Sequence, residues 1–169
     1  MIKKGFTLIE MLLYITILAM MVGVTAGFVM MMFSTRVKSV VVSEVENQGD
    51  QTMDMILSSI RLGTAINSPT IGTSGSSASF NVVNGASSPT LFDLTSGAIR
   101  IKEGAGAYTN ITSSRVNVTS LNFQNLSQTG SPTPPGVVRV TFTLQHINSG
   151  GKNEYDYTET FIGTASLRW

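Results

Sequence analysis

Few residues in this chain could do chemistry, and most of them stand alone. There is one histidine, His146, and there is no cysteine. His146 lies in the alternating run VVRVTFTLQHI with no nucleophile or metal-ligand pattern around it. A lone strand histidine is far more often a surface or interface residue than a general base. The acids of KNEYDYTE could meet calcium with help from backbone carbonyls, but Lys152 sits among them and their spacing follows no EF-hand. No phosphate-binding loop or dinucleotide fingerprint occurs, and without cysteine neither a disulfide nor a thiolate metal site can form. The chain therefore reads as no enzyme, with no catalytic, cofactor-binding or metal-ligating residue. The carboxylate in an unusual setting is Glu10, inside MIKKGFTLIEMLLYITILAMMVGV. An ionised carboxylate in hydrocarbon costs on the order of several kcal/mol unless it is paired or reaches the interface. Glu10 either sits in the headgroup layer, where the helix dipole favours negative charge, or has a partner.

The element that positions Glu10 must be a long helix. Met11 to Phe33 is a run of 23 residues without a formal charge or a proline. At ~1.5 Å per residue it makes a helix of roughly 35 Å, enough to cross a hydrocarbon core of roughly 30 Å. It is too long for a secretory h-region, and helical patterning continues beyond it. Val37, Val41, Val45, Thr52, Ile56 and Ile60 fall four or seven apart, with Glu44, Glu46, Asp50 and Asp54 largely between them. Gly63 is the expected stop. Lys3 and Lys4 favour a cytoplasmic N-terminus, against which Arg36 and Lys38 stand on the far side.

The stretch KKGFTLIEMLLYITIL resembles the prepilin signature of type IV pilins and type II secretion pseudopilins. It has a short basic leader ending in Gly5, then Phe6, then Glu10, then an uninterrupted apolar helix. The resemblance implies that a membrane-embedded prepilin peptidase cuts between Gly5 and Phe6 and methylates the new amine of Phe6. It implies further that Glu10 meets the N-terminal amine of a neighbouring subunit in a staggered helical bundle, offsetting two charges costly to bury. Gly23 and Gly27 form a small-xxx-small spacing, which in a membrane helix is more often chance than a dimer motif. The methionines at 20, 21, 30, 31 and 32 read as flexible apolar filler.

After Gly63 the chain changes character. ASFNVV, TLFDL, AIRIKE, RVNVTSLNFQNL, VVRVTFTLQHI and EYDYTETFIG are short runs separated by turn-rich pieces. In the clearest, Val138, Val140, Phe142 and Leu144 alternate with Arg139, Thr141, Thr143 and Gln145, so one face is buried. Its natural cover is the apolar stripe of the helix. The expected fold is α+β: a long N-terminal helix, transmembrane in its first half and amphipathic in its second, packed on a C-terminal antiparallel sheet. The divisions are 1–5 leader, 6–33 assembly helix, 34–62 amphipathic continuation and 63–169 β-rich head. The strand order, with scattered residues such as Arg61, Phe123 and Arg168, is also similar to J-type minor pseudopilins and W-type minor pilins. That likeness implies a low-copy subunit near a filament tip, aiding the start of assembly.

Partners follow from these readings. The resemblance implies the prepilin peptidase, other pilin or pseudopilin subunits through the helix, and an inner-membrane assembly platform, with lipid around the helix before assembly. It places the chain in the cytoplasmic membrane as a single pass with its head outside, then in an extracellular or periplasmic filament. DNA is not expected: after Gly63 six bases face five acids, scattered along the chain. Asn110, Asn117 and Asn125 begin N-x-S/T triplets, which a chain rich in Asn, Ser and Thr produces by chance. The segments 68–79 and 127–136 read as exposed loops. A monomeric anchored adhesin and a major pilin stay open beside the minor-subunit reading.

Overall fold

The computed structural model describes residues 5, 7–129 and 135–168. Lys3, Lys4 and Phe6, to which the leader and cleavage roles attach, lie outside the described residues. Among the described residues one α-helix, α1, spans Leu8–Arg61, and nine strands follow it. This long, apolar N-terminal helix followed by antiparallel sheets is the α+β, pilin-like architecture expected. By its contacts the chain divides into two units, Met1–Ser39 and Val40–Trp169.

In the first unit α1 is long and apolar enough to cross a membrane, and no residue of its apolar window is buried. Four of its hydroxyls donate within the helix. Thr16 Oγ1 donates to Leu13 O at 2.8 Å, Thr25 Oγ1 to Met21 O at 2.8 Å, and Ser34 and Thr35 to Met31 O. Folding back onto preceding carbonyls removes the donors that hydrocarbon could not satisfy.

In the second unit the helix buries Val41, Val45, Gly49, Thr52, Met53, Ile56, Leu57 and Ile60. Their steps of three and four keep them in one stripe of a 3.6-residue helix. The strands are β1 (Gly63–Ser68), β2 (Ser74–Gly75), β3 (Ala78–Val82), β4 (Thr90–Thr95), β5 (Ala98–Glu103), β6 (Thr109–Asn110), β7 (Val116–Asn125), β8 (Val137–His146) and β9 (Thr158–Ser166). They form two antiparallel sheets where one was expected, β1-β3-β4-β5-β6 and β2-β7-β8-β9. The aromatic ladder Phe80–Phe92–Phe123 joins them, with centroids 6.4 and 6.2 Å apart. Val118 N also donates to Gly97 O at 2.8 Å. Val138, Val140, Phe142 and Leu144 are all fully buried, as their alternation requires.

The helix meets β9 through reciprocal small residues. A Cβ at Gly49 would clash with Cζ, Cε1 and Cε2 of the Phe161 ring, and one at Gly163 would lie 2.5 Å from Met53 Sδ and 3.0 Å from Leu57 Cδ1. Each glycine thus receives a large side chain from the facing element. Phe161 in turn stacks on Phe142 with centroids 5.3 Å apart.

Three sequence expectations change. The helix ends at Arg61 and Gly63 already opens β1, so GTAINS is a strand that turn-forming residues disguised. EYDYTETFIG is only partly extended: Asn153–Tyr155 is a 3-10 turn, closed by Asn148 and Lys152, whose side chain and backbone bond reciprocally at 2.9 and 3.2 Å. The segment 68–79 is not simply an exposed loop, because Pro69 is buried and β2 and the start of β3 lie within it.

Candidate assembly site at the helix start

Gly5 is exposed and non-helical, and Thr7 precedes the first helical residue. Thr7 and Glu10 form a capping box. Glu10 N donates to Thr7 Oγ1 at 3.3 Å, and Thr7 N donates to Glu10 Oε2 at 3.5 Å. Two of the donors that a helix start leaves unpaired are thereby satisfied, and the carboxylate sits at the positive end of the dipole. Both bonds are long. An exposed carboxylate held this loosely keeps most of its lone-pair sites for a further cation. Thr7 had no role in the sequence reading, although T-x-x-E ahead of an apolar run is the capping-box signature and was legible there.

Of the sequence-derived site residues, Glu10 lies in the first helical turn, bonded to Thr7, and Gly5 lies outside the helix. Gly23 and Gly27 face open space, where an added Cβ would meet nothing. Met20, Met21, Met30, Met31 and Met32 are exposed. The helix start therefore offers a carboxylate at its tip and, below it, an apolar surface exposed among the described residues.

The head's polar residues fall into structural roles. His146 ends β8 with its ring 5.9 Å from that of Tyr155, and its Nδ1 is buried without a partner among the described residues. Asn125 is 2% exposed. Its Nδ2 donates to Pro69 O at 2.8 Å, and its Oδ1 accepts from Ser127 N at 3.0 Å. In the folded head that amide is committed to tying β7 to the chain before β2, so this triplet is no open glycan acceptor. The fold does gather two bases: Arg100 and Lys102 lie 4.3 and 5.5 Å from the Tyr108 ring. Asp93 holds Arg100 in a two-pronged ion pair at 2.6 and 2.9 Å, which raises the guanidinium pKa and uses most of its charge.

No curated protein and no solved structure matches the chain at a significant level. Residues 1–26 match the family model of the prokaryotic N-terminal methylation motif, which supports placing the chain among type IV pilin-like subunits.

Proposed function

We propose that the chain is a minor pilin or pseudopilin. A prepilin peptidase cleaves it between Gly5 and Phe6 and methylates Phe6, with Lys3 and Lys4 holding the leader in the cytoplasm. The helix first anchors the chain in the cytoplasmic membrane as a single pass with the head outside. An inner-membrane assembly platform then moves it into a pilus or secretion filament, near the tip. Glu10 acts there by exchanging its loose capping bonds for a neighbour's methylated amine. A cationic amine at a helix start is opposed by that helix's own dipole, so a neighbouring carboxylate stabilises both subunits.

The observation that carries the reading is the coincidence, in one segment, of the methylation motif at residues 1–26 with an apolar helix start bearing an exposed Glu10. The likeness to J-type and W-type subunits supports the low-copy role. The test is quantitative mass spectrometry of sheared filaments, seeking a peptide that begins at N-methylated Phe6. Low abundance relative to the commonest pilin supports a minor subunit, and parity makes it a major one. Retention of Met1 to Gly5 in the membrane fraction, with none in filaments, refutes the polymer reading and leaves an anchored binding protein.

A further inference from the structure

Strand β9 ends the four-stranded sheet, and no described strand pairs with its outer edge. Two backbone bonds set the phase of that edge. His146 N donates to Tyr157 O at 3.0 Å, Leu167 N donates to Gly136 O at 2.8 Å, and the register between them is unbroken. Bonded pairs alternate in an antiparallel ladder, so Glu159, Phe161, Gly163 and Ala165 bond to β8. Thr158, Thr160, Ile162, Thr164 and Ser166 turn their N–H and C=O groups outward, and all five are exposed. The strand carries no proline and no bulge, and its one charge, Glu159, is the single edge-blunting device it has.

Helix α1 runs beside this strand in the same direction. Gly49 meets Phe161, Met53 and Leu57 meet Gly163, and Gly63 meets Leu167. One row further around the helix, three residues before Gly49, Met53 and Leu57, stand Glu46, Asp50 and Asp54. All three are exposed and make no ion pair among the described residues. Arg61 closes the row at its C-terminal end. A step of four helical residues is ~6 Å, and residues on one face of an extended chain repeat at about 6.6–6.8 Å. A strand laid along β9 carries every second side chain past these carboxylates nearly in step. Like charges at i and i+4 destabilise a helix, so a cationic neighbour relieves a strain built into the row.

We propose that the outer edge of β9, with Glu46, Asp50 and Asp54 beside it, docks an extended lysine- or arginine-bearing segment of a partner protein, which adds a fifth strand to the sheet. A second copy of this chain does not supply that segment. Its own alternating bases are Arg100 and Lys102, which lie in β5 between β4 and β6, and Arg36 and Lys38, which lie in helix α1 and are not extended. The site uses residues of the second unit alone and does not depend on processing or polymerisation.

The test uses the full chain in neutral-detergent micelles and a capped nonapeptide of alternating lysine and threonine, with an alternating glutamate and threonine peptide as control. The lysine peptide slows hydrogen exchange at Thr158, Thr160, Ile162 and Thr164, and the glutamate peptide does not. Asp50→Asn with Asp54→Asn weakens binding about tenfold, and so does raised salt. Ile162→Pro removes an outward N–H without touching the β8 ladder and abolishes the protection. Unchanged exchange at Ile56 and Phe142 reports that each variant is folded; the exposed Asp variants carry the test if the proline does not fold. Three outcomes overturn the proposal. The peptides could protect equally and independently of Asp50 and Asp54, or the protection could lie outside β9. Alternatively, the same amides could gain protection with protein concentration and no peptide, assigning the edge to a second copy.

Discussion

Gly49→Ala should destabilise the head, against the ordinary expectation for a helix. An interior Gly→Ala change normally stabilises by about 1 kcal/mol through backbone entropy and helix propensity. Here the new methyl would overlap three atoms of the Phe161 ring. Phe142, its partner on the neighbouring strand, stacks against Phe161 at 5.3 Å, so the ring cannot swing towards β8 to make room. Overpacking costs about 1–3 kcal/mol, and an overlap this deep falls in the upper half of that range. The net effect is a loss of about 1–2 kcal/mol after the propensity gain. Phe161→Ala removes the clash, and in that background Gly49→Ala should stabilise by about 1 kcal/mol, a coupling of about 2–3 kcal/mol. The assay is native-state hydrogen exchange at Ile56 and Phe142 in the full chain. It reads the opening free energy of the head without assuming that the apolar helix unfolds with it. Core amides should exchange about 5–30 times faster in the single variant. Stabilisation by Gly49→Ala in both backgrounds would refute the packing argument.

Other perturbations separate the remaining roles. Glu10→Ala should leave cleavage at Gly5 intact while sharply lowering recovery in sheared filaments; wild-type incorporation of the variant would remove the assembly role. Asn125→Ala leaves Pro69 O and the Ser127 donors unpaired and should cost about 1–3 kcal/mol, read as a lower urea midpoint of the head. Thr52 is 1% exposed and its Oγ1 has no partner among the described residues, so Thr52→Val should be neutral or stabilising by up to about 1 kcal/mol in the same measurement. The Tyr157 phenol is pushed up to about 12, first by its hydrogen bond to Glu159 at 2.5 Å and then by desolvation. The folded state holds that proton more tightly than the unfolded state. Its contribution is therefore complete below the ordinary tyrosine pKa of 10.0 and is lost as pH rises towards about 12. Absorbance titration should show one late phenol that returns to the ordinary range in Glu159→Gln.

Local pattern made much of the molecule legible. The charge-free run from Met11 to Phe33 and the three-four spacing from Val41 to Ile60 each specify a helix and its environment over a few turns. The alternation of Val138, Val140, Phe142 and Leu144 specifies a half-buried strand in the same way. Six of the nine strands were visible as runs. The three that were not, β1, β2 and β6, are short or rich in Gly, Ser, Thr and Asn. Their extension comes from partners, since β2 is held by Ser74 and Gly75 pairing with Gln124 and Phe123. At the helix start, the order of Gly5, Phe6 and Glu10 carries the expected cleavage and assembly roles, and the reciprocal bonds of Thr7 and Glu10 add a local role written in T-x-x-E.

The sequence by itself determined the features that depend on neighbours along the chain: the apolar helix, its amphipathic continuation, the strand faces and the methylation motif. Only the tertiary structure decided what depends on neighbours across it. It split the strands into two sheets joined at Phe92 and Phe123, seated Phe161 on Gly49, and committed Asn125 to Pro69. It also left the outer edge of Thr158–Ser166 without a pairing strand among the described residues. These pairings join residues far apart in the chain, and their partners are chosen by register and packing, which no local periodicity encodes.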